Sequence, residues 1–285
     1  MKILVTGGKG QLGYEINKLS SKNNYDWLFS DIDILDLSDL NSINVFLDKT
    51  SPDIIINCAA YTAVDDAEVD FENANTTNHK SVELIAKWSN NSNCKLIHIS
   101  TDYVYDGSSL IPVKEDTQAN PINNYGKSKL LGDIACQKYN PSSIIIRTSW
   151  LYSSFGNNFV TKMINLMLHN DEIKVVNDQF GSPTFAADLA EVILQIINTN
   201  IWKPGIYHYT NLGKVSWFDF ANDIKYIYGF NTRIDSISSQ EYSKKIKRPK
   251  YSVLDNSKII NTFMINQVSY MISLKKCIKI LKNES

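Results

Sequence analysis

Lys2-Ile3-Leu4-Val5-Thr6-Gly7-Gly8-Lys9-Gly10-Gln11-Leu12-Gly13 opens the chain with a short β-rich run that passes straight into glycine. The glycines at 7, 10 and 13 form Gly-x-x-Gly-x-x-Gly, the wider-spaced relative of the dinucleotide fingerprint. Glycine permits the tight turn and lets backbone N–H groups approach a diphosphate, whose charge then sits at the positive end of the following helix. Taken alone, a glycine-rich segment is only a turn. Here a strand precedes it and a helix-prone segment, Tyr14 to Ser20, follows, which is the context cofactor binding requires.

Working outward, Trp27-Leu28-Phe29-Ser30 is a second strand that ends in Asp31, at the spacing expected of a carboxylate holding the adenosine ribose hydroxyls. Such a carboxylate favours NAD(H), since a 2′-phosphate would meet like charge; a turn cap, or a nearby lysine that takes the phosphate, is the competing reading. Asp36-Leu37-Ser38 is read as opening the next helix, beside adenine. Asp53-Ile54-Ile55-Ile56-Asn57 is an apolar strand running into Cys58-Ala59-Ala60-Tyr61-Thr62, where small residues let a cofactor ribose pack on the backbone or simply let helix and strand approach. Val64-Asp65-Asp66-Ala67-Glu68 reads as a solvated acidic face, and residues 78–90 as a helix with Val82, Leu84, Ile85 and Trp88 along its core stripe.

Two further strands, Lys95 to Ile99 and Ile144-Ile145-Ile146-Arg147-Thr148, complete at least five alternations of strand and helix by residue 150. That alternation predicts an α/β fold, a Rossmann-type doubly wound parallel sheet. Beyond Trp150 the texture changes to polar loops between short elements, among them Gln179-Phe180-Gly181-Ser182-Pro183-Thr184 and Lys244-Lys245-Ile246-Lys247-Arg248-Pro249. We therefore expect an NAD(P)-binding domain over 1–150, with a return of 185–200, and a smaller C-terminal substrate-binding lobe over 151–285. The basic run suits a diphosphate, with Arg248 the best-shaped fork, or is a solvated surface. Met271 to Leu281 reads as an amphipathic packing helix.

Composition narrows the function class. The 285 residues suit a two-lobed enzyme, and 43% hydrophobic with 21% charged content is that of a soluble globular protein. A net charge of -1 gives no footprint for nucleic acid. Cys58, Cys94, Cys136 and Cys277 have no metal spacing and read as reduced core residues of a cytoplasmic protein. His79, His98, His169 and His208 are scattered, so no zinc site is expected. The apolar run at the N-terminus is too short for a signal peptide or a membrane span.

The chemistry is carried by Ile99-Ser100-Thr101-Asp102-Tyr103-Val104-Tyr105 and Tyr125-Gly126-Lys127-Ser128-Lys129. The first is a buried strand ending in hydroxyls; the second begins a helix on which Tyr125 and Lys129, one turn apart, share a face. A neighbouring ammonium favours the phenolate, and a tyrosine so tuned gives a proton to a carbonyl oxygen as hydride reaches the carbon. Thr101 adds a second hydrogen bond to that oxygen. Tyrosine and lysine at this spacing are common on solvated helix faces, and it is the upstream Ser-Thr and glycine turn that give the pair its meaning.

These pieces, with Asn57 to Asp65, His98 to Val104, Arg147-Thr148-Ser149-Trp150 and Arg248-Pro249, resemble the dTDP-4-dehydrorhamnose reductase family of extended short-chain dehydrogenases over nearly the whole chain. The resemblance implies reduction, by NADPH or NADH, of the 4-keto group of dTDP-4-dehydro-L-rhamnose to the rhamnose donor of surface polysaccharide. It implies Thr101, Tyr125 and Lys129 as the catalytic set. Gly7, Gly10, Gln11 and Leu12 would hold the cofactor with Asp31, Asp36 and Leu37. Ala59, Ala60, Tyr61 and Thr62 would line its other side, and Thr101, Asp102, Trp150 and Arg248 would contact the sugar nucleotide. The chain departs from the common pattern at Asp66, where relatives carry lysine, and at Cys58, where they carry alanine. Some relatives dimerise through magnesium on a carboxylate at the place of Glu15; that residue is present, but Asp188 and Glu191 do not align with the second cluster, so no metal ligand is assigned and the magnesium ion stays open. A monomer or homodimer acting on a dTDP-linked 4-keto-6-deoxysugar, without nucleic acid or membrane, is expected. The alternatives are another 4-keto-6-deoxysugar reductase, an epimerase or a dehydratase on the same scaffold, or a non-catalytic dinucleotide-binding regulatory subunit.

Overall fold

In the computed structural model, which describes residues 1–199, 201–242 and 246–284, the expected alternation is present. The chain runs β1 Lys2–Thr6, α1 Gln11–Ser20, β2 Asp26–Ser30, α2 Leu40–Thr50 and β3 Ile54–Asn57. Helix α3, Phe71–Asn75, passes through a π-helical turn, Thr76–Lys80, into α4 Ser81–Asn91, followed by β4 Lys95–Thr101, α5 Asn124–Tyr139 and β5 Ile144–Thr148. Then come β6 Leu151–Tyr152, α6 Phe159–His169, β7 Glu172–Val176, β8 Phe180–Gly181, β9 Thr184–Phe185, α7 Ala186–Asn198, β10 Gly205–His208 and β11 Val215–Ser216. The remainder is α8 Trp217–Tyr228, β12 Arg233–Ile237, α9 Ser239–Tyr242, β13 Tyr251–Ser252, α10 Ser257–Phe263 and α11 Tyr270–Glu284.

The central sheet has the order β10-β5-β4-β3-β1-β2, and every pairing in it is parallel. Its strands are apolar nearly throughout because both faces are covered. Alternate residues go to opposite layers: Ile3, Val5, Ile54 and Ile56 pack with Leu12 and Ile16 of α1, while Leu4 and Ile55 meet Ile43 and Leu47 of α2. The order reverses between β1 and β3, so the crevice beyond their carboxyl ends is where such a sheet takes a ligand.

The first of these layers is completed by segments from beyond residue 150. Leu189, Ile193 and Ile196 of α7 pack against it, as do Ile259 and Phe263 of α10, and β10 forms the sheet's edge. A second core gathers Met163 and Ile164 of α6, Ile173 and Val175 of β7, Phe220 and Ile224 of α8, and Leu274 and Ile278 of α11. Three small sheets, β11-β8-β13, β12-β7 and β6-β9, make up the rest of that part.

Several boundaries differ from the sequence expectation for local reasons. Helix α1 starts at Gln11 rather than Tyr14, because Gly10 takes an extended N-cap conformation. Asp36-Leu37-Ser38 is a turn and not a helix start: Asp36 accepts from the amide and hydroxyl of Ser38, and Asp39 caps α2. The four cysteines are free thiols.

Candidate active site

The carboxyl ends of β1, β3, β4 and β5 open onto a cavity of about 980 Å³. Its floor is the glycine turn. Gly7 has φ +67°, and a Cβ there would fall 2.8 Å from Ala59 N. A Cβ at Gly13 would lie 2.2 Å from Gly7 O, so the turn closes only with glycine at both places. No side chain caps α1, which leaves its first-turn N–H groups for an anion. Asp31 follows directly on β2 and accepts from Lys9 N at 2.7 Å and Ile32 N at 2.9 Å, while the Lys9 ammonium reaches Asp33 at 2.7 Å. Gly10, Gln11, Leu12, Asp31, Asp36 and Leu37 all line this end. A cradle that a Cβ would fill, beside an uncapped helix and a carboxylate, fits the diphosphate and ribose of a dinucleotide.

The opposite wall is Ala59, Ala60, Tyr61 and Thr62. Asn78 clamps it: its Oδ1 accepts from Tyr61 N at 2.8 Å, and its amide nitrogen donates to Tyr61 O and to Ser128 Oγ, both at 3.0 Å. Asn78 belongs to the π-helical turn, which swings it out of the regular α register. From sequence alone Asn78 stands at a helix start with no role at the site.

Tyr125, Lys129 and Thr101 meet in the middle of the cavity. Asn123 caps α5 by accepting from Gly126 N at 2.8 Å. A Cβ at Gly126 would stand 2.2 Å from Tyr103 O, so this glycine seats the helix on the turn that follows β4. Lys129, 2% exposed, donates to Ile99 O at 2.8 Å. Burial brings its pKa down to about 8, with Asp133, one turn further along α5, pulling the other way. The expected effect of Lys129 on Tyr125 is not present. Burial raises the phenol, a hydrogen bond with Thr101 lowers it, and Asp102 and Asp133 raise it; the lysine is engaged at Ile99 instead. Thr101 Oγ1 donates to Asp102 Oδ1 at 3.0 Å and accepts from Tyr103 N at 3.2 Å. Burial brings Asp102 up to about 7.

At the end away from the glycine turn Trp150 lines the cavity from just beyond β5, with φ +47°, a left-handed conformation unusual for so large a residue. Its indole stacks on Trp217 with ring centroids 3.4 Å apart and planes 4° from parallel. The loop 178–184 supports it from below: Ser149 Oγ donates to Ser182 O at 2.8 Å, and Thr148 Oγ1 to Thr184 Oγ1 at 3.2 Å. Trp217 and Phe155 also line the cavity and were not singled out from sequence. Their only signal was aromatic residues in the polar second half.

Arg248 is absent from the cavity lining and pairs with Asp65. The acidic stretch 64–68 is therefore more than a solvated face. Asp65 holds Arg248, Glu68 accepts from Asn124 N at 2.6 Å, and Ala67 is buried. Lys244 and Lys245 of the basic run lie outside the described residues. Among the described residues no group of three metal-ligating side chains occurs. Glu15 accepts from Ser153 at 2.6 Å, and Asp188 from Asn211 at 2.7 Å and from Ser273. No helix is long and apolar enough to cross a membrane.

Residues 1–283 match the family model for the RmlD substrate binding domain. A dTDP-4-dehydrorhamnose reductase from Aggregatibacter actinomycetemcomitans is 37% identical over 96% of this chain and 97% of its own. Among solved structures, a dTDP-4-dehydrorhamnose reductase from Clostridium acetobutylicum superimposes with a TM-score of 0.95 at 39% identity, covering 99% of this chain and 100% of that one. The Bacillus anthracis enzyme of that name, in complex with NADP, gives 0.93 at 36% identity, covering 98% and 99%.

Proposed function

The chain belongs to the RmlD substrate-binding-domain family, and from that membership we propose that it is an NAD(P)H-dependent oxidoreductase that reduces dTDP-4-dehydro-L-rhamnose to dTDP-L-rhamnose. The observation that carries the reading is one cavity with the glycine cradle at one end, the Trp150–Trp217 platform at the other, and Thr101, Tyr125 and Lys129 between them. The reduced dinucleotide, when bound, supplies a hydride to the keto carbon. Gly7, Gly10, Gln11 and Leu12 take its diphosphate, Asp31 its adenosine ribose, and Asp36 with Leu37 the adenine.

Ala59 to Thr62 and Lys129 hold the nicotinamide end. Tyr125 gives its proton to the carbonyl oxygen, and Thr101 holds that oxygen in line. A phenol raised by burial carries its proton at neutral pH, so the proton is there to be given. Trp150 supports the sugar ring. Arg248 leaves Asp65 to take the diphosphate of the sugar nucleotide. The chain's first half with α7 forms the cofactor domain and most of the remainder the substrate lobe, and the enzyme acts in the cytoplasm as a monomer or homodimer, apart from nucleic acid and membranes.

The test is to incubate the protein with dTDP-4-dehydrorhamnose and each reduced dinucleotide, follow cofactor oxidation and identify the sugar formed. Stoichiometric oxidation with dTDP-rhamnose as product is expected. An unchanged reduced cofactor beside an altered sugar would move the chain to the epimerases or dehydratases. No turnover, with a stable complex to another enzyme, would make it a regulatory subunit.

A further inference from the structure

Resting on the cofactor reading of the glycine turn, we propose that Tyr14 and Glu15 are positioning residues for dinucleotide retention: they pin the segment 153–157, which follows β6, onto α1 as the outer wall of the diphosphate subsite. Phe155, Gly156 and Asn157 line the cavity together with Gly10, Gln11 and Leu12, although the two stretches lie far apart in sequence.

Two contacts hold the segment down. Ser153 is fully buried; its hydroxyl donates to Glu15 Oε1 at 2.6 Å and accepts the Phe155 N–H at 3.1 Å, so the oxygen that reaches α1 also bends the segment. The Phe155 ring lies on Tyr14 with centroids 4.0 Å apart and planes 11° from parallel. The far end is closed by Asn158, which donates to Ser153 O at 2.9 Å and caps α6 by accepting from Val160 N at 3.0 Å. Between the two ends, Gly156 takes φ +76°, and a Cβ there would stand 3.6 Å from Gln11 Cγ, an ordinary contact distance. The segment therefore rests against the first turn of α1.

Packing alone does not account for this arrangement. Phe155 is 38% exposed at the cavity rim, so its ring gains less from burial than a core side chain does. Gln11 Oε1, on the residue the segment touches, is buried without a hydrogen-bond partner, a polar atom left for a ligand. Glu15 sits in the second turn of the helix whose N-terminus faces the phosphates, and a bare carboxylate there would repel them. It is 2% exposed, bonded to Ser153 and 3.5 Å from the Lys18 ammonium, so its charge is offset where it stands. Tyr14, Glu15 and Ser153 do not themselves line the cavity. What they contribute to cofactor binding reaches it through the segment they hold.

Release of NADPH and of NADH, followed by stopped-flow fluorescence on displacement, tests the assignment without substrate. Tyr14→Leu and Ser153→Ala should each release both dinucleotides about 5- to 10-fold faster, the worth of one aromatic stack or one hydrogen bond to a charged group, with association changed less than about twofold. Tyr14→Phe keeps the stack and should release them at the wild-type rate. In the wild type, hydrogen exchange of the 155–157 amides should slow when either dinucleotide is bound, a readout that stands even where a variant fails to fold. Release at the wild-type rate from both Tyr14→Leu and Ser153→Ala, or exchange at 155–157 that dinucleotide leaves unchanged, overturns the proposal while the cofactor reading survives. A wild type that binds neither dinucleotide overturns the cofactor reading and the proposal with it.

Discussion

Gly181 and Trp150 are fitted to one another: a Cβ on Gly181 would come within 2.4 Å of the indole Cε2 of Trp150 and within 2.6 Å of its Nε1. The ring holds its place over Trp217 only because β8 has no side chain there. Since Trp150 is already in a left-handed backbone conformation, it has little freedom to yield. Gly181→Ala should displace the indole, destabilising the protein by about 1–3 kcal/mol as overpacking does. The expected functional result is a raised KM for the sugar nucleotide with cofactor affinity unchanged, read by steady-state kinetics and tryptophan fluorescence. An unaltered emission spectrum and KM would show that the platform does not need the gap.

On the proposed reading, Tyr125→Phe removes the proton donor without removing the ring that packs edge-on to Tyr103 at 5.5 Å. Turnover should fall by about 10²- to 10⁴-fold, the range for general acid catalysis. Binding of the reduced dinucleotide, followed by its fluorescence, should be unchanged. Full activity in this variant removes Tyr125 from the chemistry.

The elevated pKa of Asp102 also predicts a pH dependence of stability. Its folded value, about 7, lies above its ordinary 3.8, so the contribution is fully present below 3.8 and is lost as pH rises through about 7. Wild type should therefore lose stability relative to Asp102→Asn between mildly acidic and mildly alkaline pH. The gap between 3.8 and about 7, at ~1.4 kcal/mol per pH unit, sets a ceiling of roughly 4 kcal/mol. Denaturant unfolding of both proteins at the two pH values measures the difference, which cancels the buried histidines common to both. Parallel pH curves would contradict the raised pKa.

The parts of the site legible in the sequence are those whose chemistry is local. Gly7, Gly10 and Gly13 lie within one turn, and Tyr125 with Lys129 within one helical turn, so spacing alone brings them together. What escaped reading depends on approach through space. Asn78 reaches Tyr61 and Ser128 only because a π-helical turn redirects it. Trp217 meets Trp150 across 66 intervening positions, and Gly126 matters because Tyr103 O is packed against it. The electrostatics were misjudged for the same reason. Adjacency on a helix predicted that Lys129 would act on Tyr125, whereas burial governs the phenol and the ammonium is bonded to a strand carbonyl.

The Asp65–Arg248 pair gives a prediction about substrate entry at the cavity mouth. Asp65 is 61% exposed and Arg248 24%, so the pair contributes little to stability, about 0–1 kcal/mol. On the proposed function its cost falls instead on the diphosphate of the sugar nucleotide, which would compete with Asp65 for the guanidinium fork. Asp65→Asn should leave the unfolding midpoint nearly unchanged, lower KM for the sugar nucleotide and reduce the salt dependence of kcat/KM. Arg248→Ala should raise KM, and the double variant should match Arg248→Ala, because the carboxylate then has nothing to withhold. If Asp65→Asn raises KM to the same extent as Arg248→Ala, the pair positions the mouth of the site, and Arg248 does not move to the substrate.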